Sequence, residues 1–166
     1  MSFDVKNETK AGKTVFKFAG NIDENATFPI FNSLAGDIYI DLKGVKSINS
    51  VGIRSWIKWF SSFHQVHFIF QHCPKSVVMQ MNMVDGFLPE GSHVESLQVP
   101  FYCESCDKEL EVLFTLGKEI LVDGGKVNLK YDRGSICPQG CAPELDVSEA
   151  KYFRFLLKYG NMSHAA

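Results

Sequence analysis

The chain has 166 residues, 45% of them hydrophobic, which suits one ordinary domain or a compact domain with a small appendage. Its formal net charge is −2 at pH 7 with no block of basic residues, which disfavours non-specific nucleic-acid binding and attraction to an anionic membrane. No apolar run is long enough to span a bilayer, and residues 1–8 lack the core of a signal peptide, so a cytoplasmic protein with reduced thiols is expected.

Residues 13–19 alternate apolar and polar side chains and end at Gly20, which predicts a strand. A polar cluster follows at 21–25. A short helix is expected over residues 26–34, with Pro29 in its first turn, where the missing N–H is tolerated. Residues 37–42 alternate again and predict a second strand, closed by a turn at Lys43-Gly44. Ile53, Trp56, Ile57, Phe60 and Phe63 recur at helical spacing, and Asn49 or Ser50 is a natural N-cap for that helix. Residues 66–71 predict a third strand. Pro74 opens a second helix with Val77, Val78, Met81 and Val84 as its apolar stripe, a geometry in which Met79, Met81 and Met83 cannot all face inward. Residues 94–101 predict a further strand, which Pro100 confines to an edge or an end. Strands alternating with helices over residues 1–100 imply an α/β layer with some parallel pairing.

Residues 101–166 change character. Residues 109–116 and 126–130 are β-like, and Asp123-Gly124-Gly125 is a turn signal. Ser148 starts a last helix with Phe153, Leu156 and Leu157 on one side and Gly160 as its stop. The same segment holds two close cysteine pairs, Cys103 with Cys106 and Cys137 with Cys141, separated by residues 107–136. That interval leaves room for a hairpin that brings the pairs together. Four thiolates at tetrahedral geometry suit Zn²⁺ and fill its shell, so the expected site is structural. Iron is the weaker alternative, and a catalytic dithiol weaker still, because nothing nearby marks a thiolate poised for exchange. Cys73 stands apart and reads as a small buried residue.

The cysteine segment resembles a zinc ribbon. Cys103-Glu104-Ser105-Cys106 matches the Cys-x-x-Cys knuckle of that family, whereas Cys137 and Cys141 enclose three residues where two are usual. Residues 1–100 resemble STAS domains, the fold of anti-sigma factor antagonists. Gly20-Asn21-Ile22-Asp23 is similar to their Gly-x-Leu-Asp pattern, and the run from Asp37 to Ile48 to their central strand. Asn49-Ser50-Val51-Gly52-Ile53 is similar to their Asp-Ser-Ser-Gly-Leu motif, with Asn49 in place of the Asp and Val51 in place of the second Ser. Cys73-Pro74 and the helix after it resemble the later part of the same fold.

The resemblance implies a phosphorylatable serine at Ser50, a partner-binding surface including Asp23, Asn49, Val51 and Gly52, and a protein partner such as a kinase-like anti-sigma factor. The residues themselves leave two plainer readings open. Ser50 also reads as a simple N-cap, and Asp23 as a turn residue bonding its own backbone.

An enzyme is not expected. His64, His67, His72 and His93 do not fall at metal-ligand or triad spacings, and no Gly-rich phosphate loop follows a strand. The expected architecture is a STAS-like mixed sheet with helices over residues 1–100, followed by a zinc-ribbon-like hairpin module with a terminal helix over 101–166. The expected function is a protein–protein interaction module in bacterial signalling or transcription control. One alternative is a scaffold subunit that docks through its ribbon without a phospho-switch. Another is a nucleic-acid-binding ribbon, disfavoured because Glu104, Asp107, Glu109 and Glu111 crowd the first knuckle.

Overall fold

A computed structural model describes residues 1–159 of the chain, and within them α/β structure is built around a five-stranded mixed sheet. Strand β1 (Asp4–Lys10) pairs antiparallel with β2 (Lys13–Ile22) across a two-residue turn. Strands β3 (Gly36–Ile48), β4 (Val66–Gln71) and β5 (His93–Val94) continue the sheet in parallel, in the order β1-β2-β3-β4-β5. Helix α1 (Ser50–Ser61) connects β3 to β4, and α2 (Lys75–Met83) connects β4 to β5.

The period-2 alternation of the strands sends Phe16, Phe18, Ile38, Ile40, Phe68 and Phe70 to one face, all buried. Trp56 and Phe60 of α1 pack onto that face, with ring centroids 5.8 Å apart for Trp56 and Phe70 and 4.8 Å for Phe60 and Phe68. The opposite face carries Lys17, Tyr39, Asp41, His67, Gln71 and His93, all half-buried or exposed.

The second part begins without a break. Strand β6 (Ser96–Cys103) is stitched to the segment after β4: Cys73 N–H donates to Ser96 O at 3.1 Å, and Gln98 N–H to Cys73 O at 2.8 Å. Strand β6 is the middle of a three-stranded antiparallel sheet, between β7 (Lys108–Thr115) and a short strand (Glu144–Leu145) numbered β10 below. Strands β8 (Ile120–Asp123) and β9 (Lys126–Leu129) form a hairpin, and β10 follows it in the chain. Gly124 and Gly125 close the hairpin with φ of +57° and +74°, the left-handed pair that such a turn needs. Helices α3 (Glu149–Tyr152) and α4 (Arg154–Lys158) end the described chain. The expected boundary at 100/101 falls inside β6, and one buried cluster extends from Phe16 to Leu156.

Several local expectations are corrected. No helix forms over residues 26–34. The residue before a proline avoids the helical region, and the irregular chain here packs its half-buried aromatics against the core instead. Phe31 stacks on Phe16 at 4.8 Å, and Trp59 Nε1 donates to Pro29 O at 2.7 Å. Lys43-Gly44 is not a turn, because β3 runs through it to Ile48. Gly44 lies against Ala19, whose β-carbon would be 2.8 Å from one at position 44, where the β2–β3 register shifts. The strand that was to end at Gly20 passes through it to Ile22.

Pro100 lies in a central strand, not at an edge. Its carbonyl accepts from Asp146 N–H at 2.9 Å, just beyond the end of β10, so its missing N–H faces a place where the ladder has already stopped. Among the terminal residues, Tyr152, Phe153, Phe155 and Leu156 are buried while Leu157 is exposed, because the helix breaks at Phe153. Gly160 lies outside the described residues. Cys73 is fully buried, as is Met81, whereas Met79 and Met83 are exposed. No helix among the described residues is long and apolar enough to cross a membrane.

Candidate functional site

The four paired cysteines converge. Cys103 is the last residue of β6, and Cys106 lies in the tight turn to β7, where Asp107 takes a left-handed φ of +50°. Cys137 follows a single 3-10 turn (Arg133–Ser135), and Cys141 precedes β10. The four sulfurs all lie within 4.8 Å of one another, with Cys106 3.5 Å from Cys141 and 3.8 Å from Cys137. A tetrahedral ion with metal–sulfur bonds of about 2.3 Å separates its sulfurs by about 3.8 Å. A disulfide would need about 2.05 Å. The cluster therefore has the spacing of a coordination shell, and the cysteines are free thiols.

The second pair reaches the first because β10 lies on β6, with Glu144 opposite Tyr102 and Leu145 opposite Phe101. Arg133 ties that loop down: its Nε donates to Pro143 O at 2.8 Å and its Nη2 to Glu144 Oε1 at 3.1 Å. Nothing in the cysteine spacing marks Arg133 for this part. A hairpin, β8–β9, does lie between the pairs, but the expected strand over 109–116 is β7 and pairs with β6, and the β10–β6 pairing is what brings the cysteines together.

The unusual three-residue gap is absorbed locally. Gly140, at φ +76°, donates its N–H to Cys137 O at 2.9 Å. The Gln139 N–H points at the Cys137 sulfur and, with smaller help from neighbouring thiols, pulls that thiol down to about 7. Cys106 is pushed up to about 12, chiefly by hydrogen bonding with Cys141 and then with Cys103 and Cys137. Thiolates this close repel one another, so the four ionise together only around a cation. Cys103 and Cys137 are buried and Cys106 and Cys141 half-exposed, which leaves the centre at the edge of the core.

The start of α1 is docked on the end of β2. Asn49 is its N-cap: Oδ1 accepts from Gly52 N–H at 2.8 Å. Its own N–H donates to Ile22 O at 3.1 Å, and its Nδ2 donates to Glu24 Oε2 at 2.8 Å. Ser50 is the first helical residue and is exposed, so the cap belongs to Asn49 and the hydroxyl is left on the surface. Val51 beside it is 42% exposed.

Asp23 Oδ1 accepts from Asn25 N–H at 2.9 Å, the plain turn role considered for it, and Asp23 remains half-buried at the same surface. Gly52 is buried and supports this surface from beneath. Asp23, Asn49, Ser50 and Val51 thus lie around one loop–helix junction.

Glu24 is the residue that the motif reading misses. Its carboxyl is held below the ordinary value by its own backbone N–H and then by the Asn49 amide. Its partner lies 25 positions away, so no local pattern announces it. In comparisons with known proteins, no family model, no curated protein and no solved structure matches this chain.

Proposed function

We propose that this chain is a non-enzymatic protein–protein interaction module of the STAS kind, acting in bacterial signalling or transcription control, with a structural zinc ion in its cysteine cluster. The observation that carries the reading is the junction of α1 with residues 21–25. Asn49 occupies the cap and grips Glu24, which leaves the Ser50 hydroxyl exposed at a helix N-terminus.

A phosphate there adds about −1.5 to −2 charges. The helix dipole tolerates that charge in the folded domain. A partner docked over Val51 would meet a newly anionic surface, already acidic from Asp23 and Glu24. An antiparallel first pair followed by parallel strands and crossover helices supports the same reading. Zinc is favoured at the cluster because four thiolates satisfy its shell and need no redox chemistry.

The test is capture of partners from the native cell on immobilised wild type and Ser50→Asp, with phosphopeptide analysis of the endogenous protein. A partner held by wild type and released by Ser50→Asp, together with phosphate on Ser50, is expected. A partner held equally by both, with Ser50 never phosphorylated, would defeat the switch. Loss of that partner on variants of the β6–β7 knuckle would move docking to the cysteine module.

A further inference from the structure

The face of the first sheet opposite α1 gathers residues that the sequence scatters. His67 on β4 and His93 on β5 bring their rings to a centroid separation of 4.8 Å at a tilt of 57°. His67 Nδ1 lies 3.1 Å from Asp37 Oδ1, on the adjacent strand directly opposite in register. A carboxylate only accepts, so the Nδ1 of His67 is the donor to Asp37 and its Nε2 is the nitrogen left to bind a metal. This is the arrangement in which a metal-ligating histidine is held by an outer carboxylate. Asp37, bonded to His67, places a carboxylate beside the pair of rings.

The spacing can be checked against coordination chemistry. With metal–nitrogen bonds of about 2.0–2.1 Å, two imidazoles in neighbouring positions on one ion put their centroids about 4.5–5.2 Å apart. The observed 4.8 Å falls in that window.

We propose that His67 and His93 form a second divalent-metal site, separate from the cysteine cluster, for an imidazole-preferring ion such as Ni²⁺ or Zn²⁺, with Asp37 orienting His67. Two histidines supply part of the shell, and water completes it. The site joins β4 to the two-residue strand β5, so an occupied site would pin that short strand to the sheet.

The experiment uses the full chain with its cysteine cluster saturated by one equivalent of zinc and the excess removed. Nickel chloride is then titrated by calorimetry. One additional saturable equivalent is expected for wild type, with loss of that event in His67→Ala and in His93→Ala. Asp37→Asn keeps both ligands and is expected to bind about ten- to a hundred-fold more weakly, the usual effect of removing an outer carboxylate.

No saturable event in wild type, or an event unchanged in both histidine variants, would overturn the proposal. If the variants fold poorly, paramagnetic broadening in wild type decides. The His67 and His93 ring signals should broaden first, and earlier broadening of His64, His72 or His164 would refute the site.

Discussion

Gly52, in the first turn of α1, rests on the carbonyl of Ile22 so closely that a β-carbon at position 52 would lie 1.9 Å from the oxygen. The same oxygen accepts from Asn49 N–H at 3.1 Å. The helix start is therefore seated on the end of β2, and Ser50 and Val51 turn outward. Gly52→Ala must push helix and strand apart. It should cost about 3 kcal/mol or more, read by urea denaturation, whereas Arg54→Ala on the exposed side of α1 should stay within about 0.5 kcal/mol.

Trp56 is fully buried, lies parallel to Phe87 with centroids 4.7 Å apart, and donates from Nε1 to Phe87 O at 2.9 Å. Trp56→Phe keeps an aromatic ring but leaves that carbonyl without its donor. A loss of about 2 kcal/mol is expected, against about 3–5 for Trp56→Ala. A loss near zero for Trp56→Phe, measured by thermal unfolding, would show that the hydrogen bond contributes nothing.

The Asn49–Glu24 contact has a pH signature. Glu24 has a lowered pKa in the folded chain, so its contribution is present above the ordinary carboxylate value and is lost as pH falls through the lower folded value. The stability difference between wild type and Glu24→Gln should therefore be constant at neutral pH and shrink progressively as pH falls below the ordinary Glu value of about 4.3. Asn49→Ala, which removes both the cap and this contact, should cost about 1 kcal/mol from the cap alone. Denaturation over a pH series checks both.

Metal removal should act on the cysteine loops first. Elemental analysis of freshly purified reduced protein should find about one zinc per chain, and Cys137→Ser or Cys106→Ser should abolish it. An ion at a thousandfold its Kd stabilises by about 4 kcal/mol, and a chelator removes that amount. Hydrogen exchange after chelation should rise at residues 103–107 and 133–145 before it rises in β2, β3 or β4. Unchanged exchange in the cysteine loops would mean that the cluster does not depend on metal.

Arg133 gives a separate handle on the same loop. Arg133→Ala removes its bonds to Pro143 O and Glu144 without touching a sulfur. Zinc stoichiometry should remain about one per chain, while chelator-driven metal loss should speed up, as stopped-flow release kinetics would show. A release rate equal to wild type would exclude Arg133 as an anchor of the cluster.

The elements legible in the sequence are those with a local cause. The alternation at 66–71 is one face of β4, the spacing of Trp56 and Phe60 is the buried stripe of α1, and Gly124-Gly125 can only be a tight turn. The cysteine pairs marked the cluster because ligand spacing within a knuckle is a local matter. Where long-range contacts decide, the local reading fails. Residues 26–34 lose their expected helix to the ring stacking of Phe28 and Phe31 against the core, and Gly44 serves close strand packing instead of a turn. Strand β1 had no signal of its own, because an edge strand of mostly exposed residues shows no buried period.

Sequence alone thus determined which residue types are available for chemistry: four thiols at ligand spacing, a serine at a helix start, and histidines with no visible pattern. Only the tertiary structure decided which of them meet. Cys103 and Cys106 reach Cys137 and Cys141 through the pairing of β10 on β6, Asn49 meets Glu24 across 25 residues, and His67 meets His93 across two parallel strands. Each meeting depends on strand register and backbone contact between distant segments, and that information is written in no single stretch of the chain.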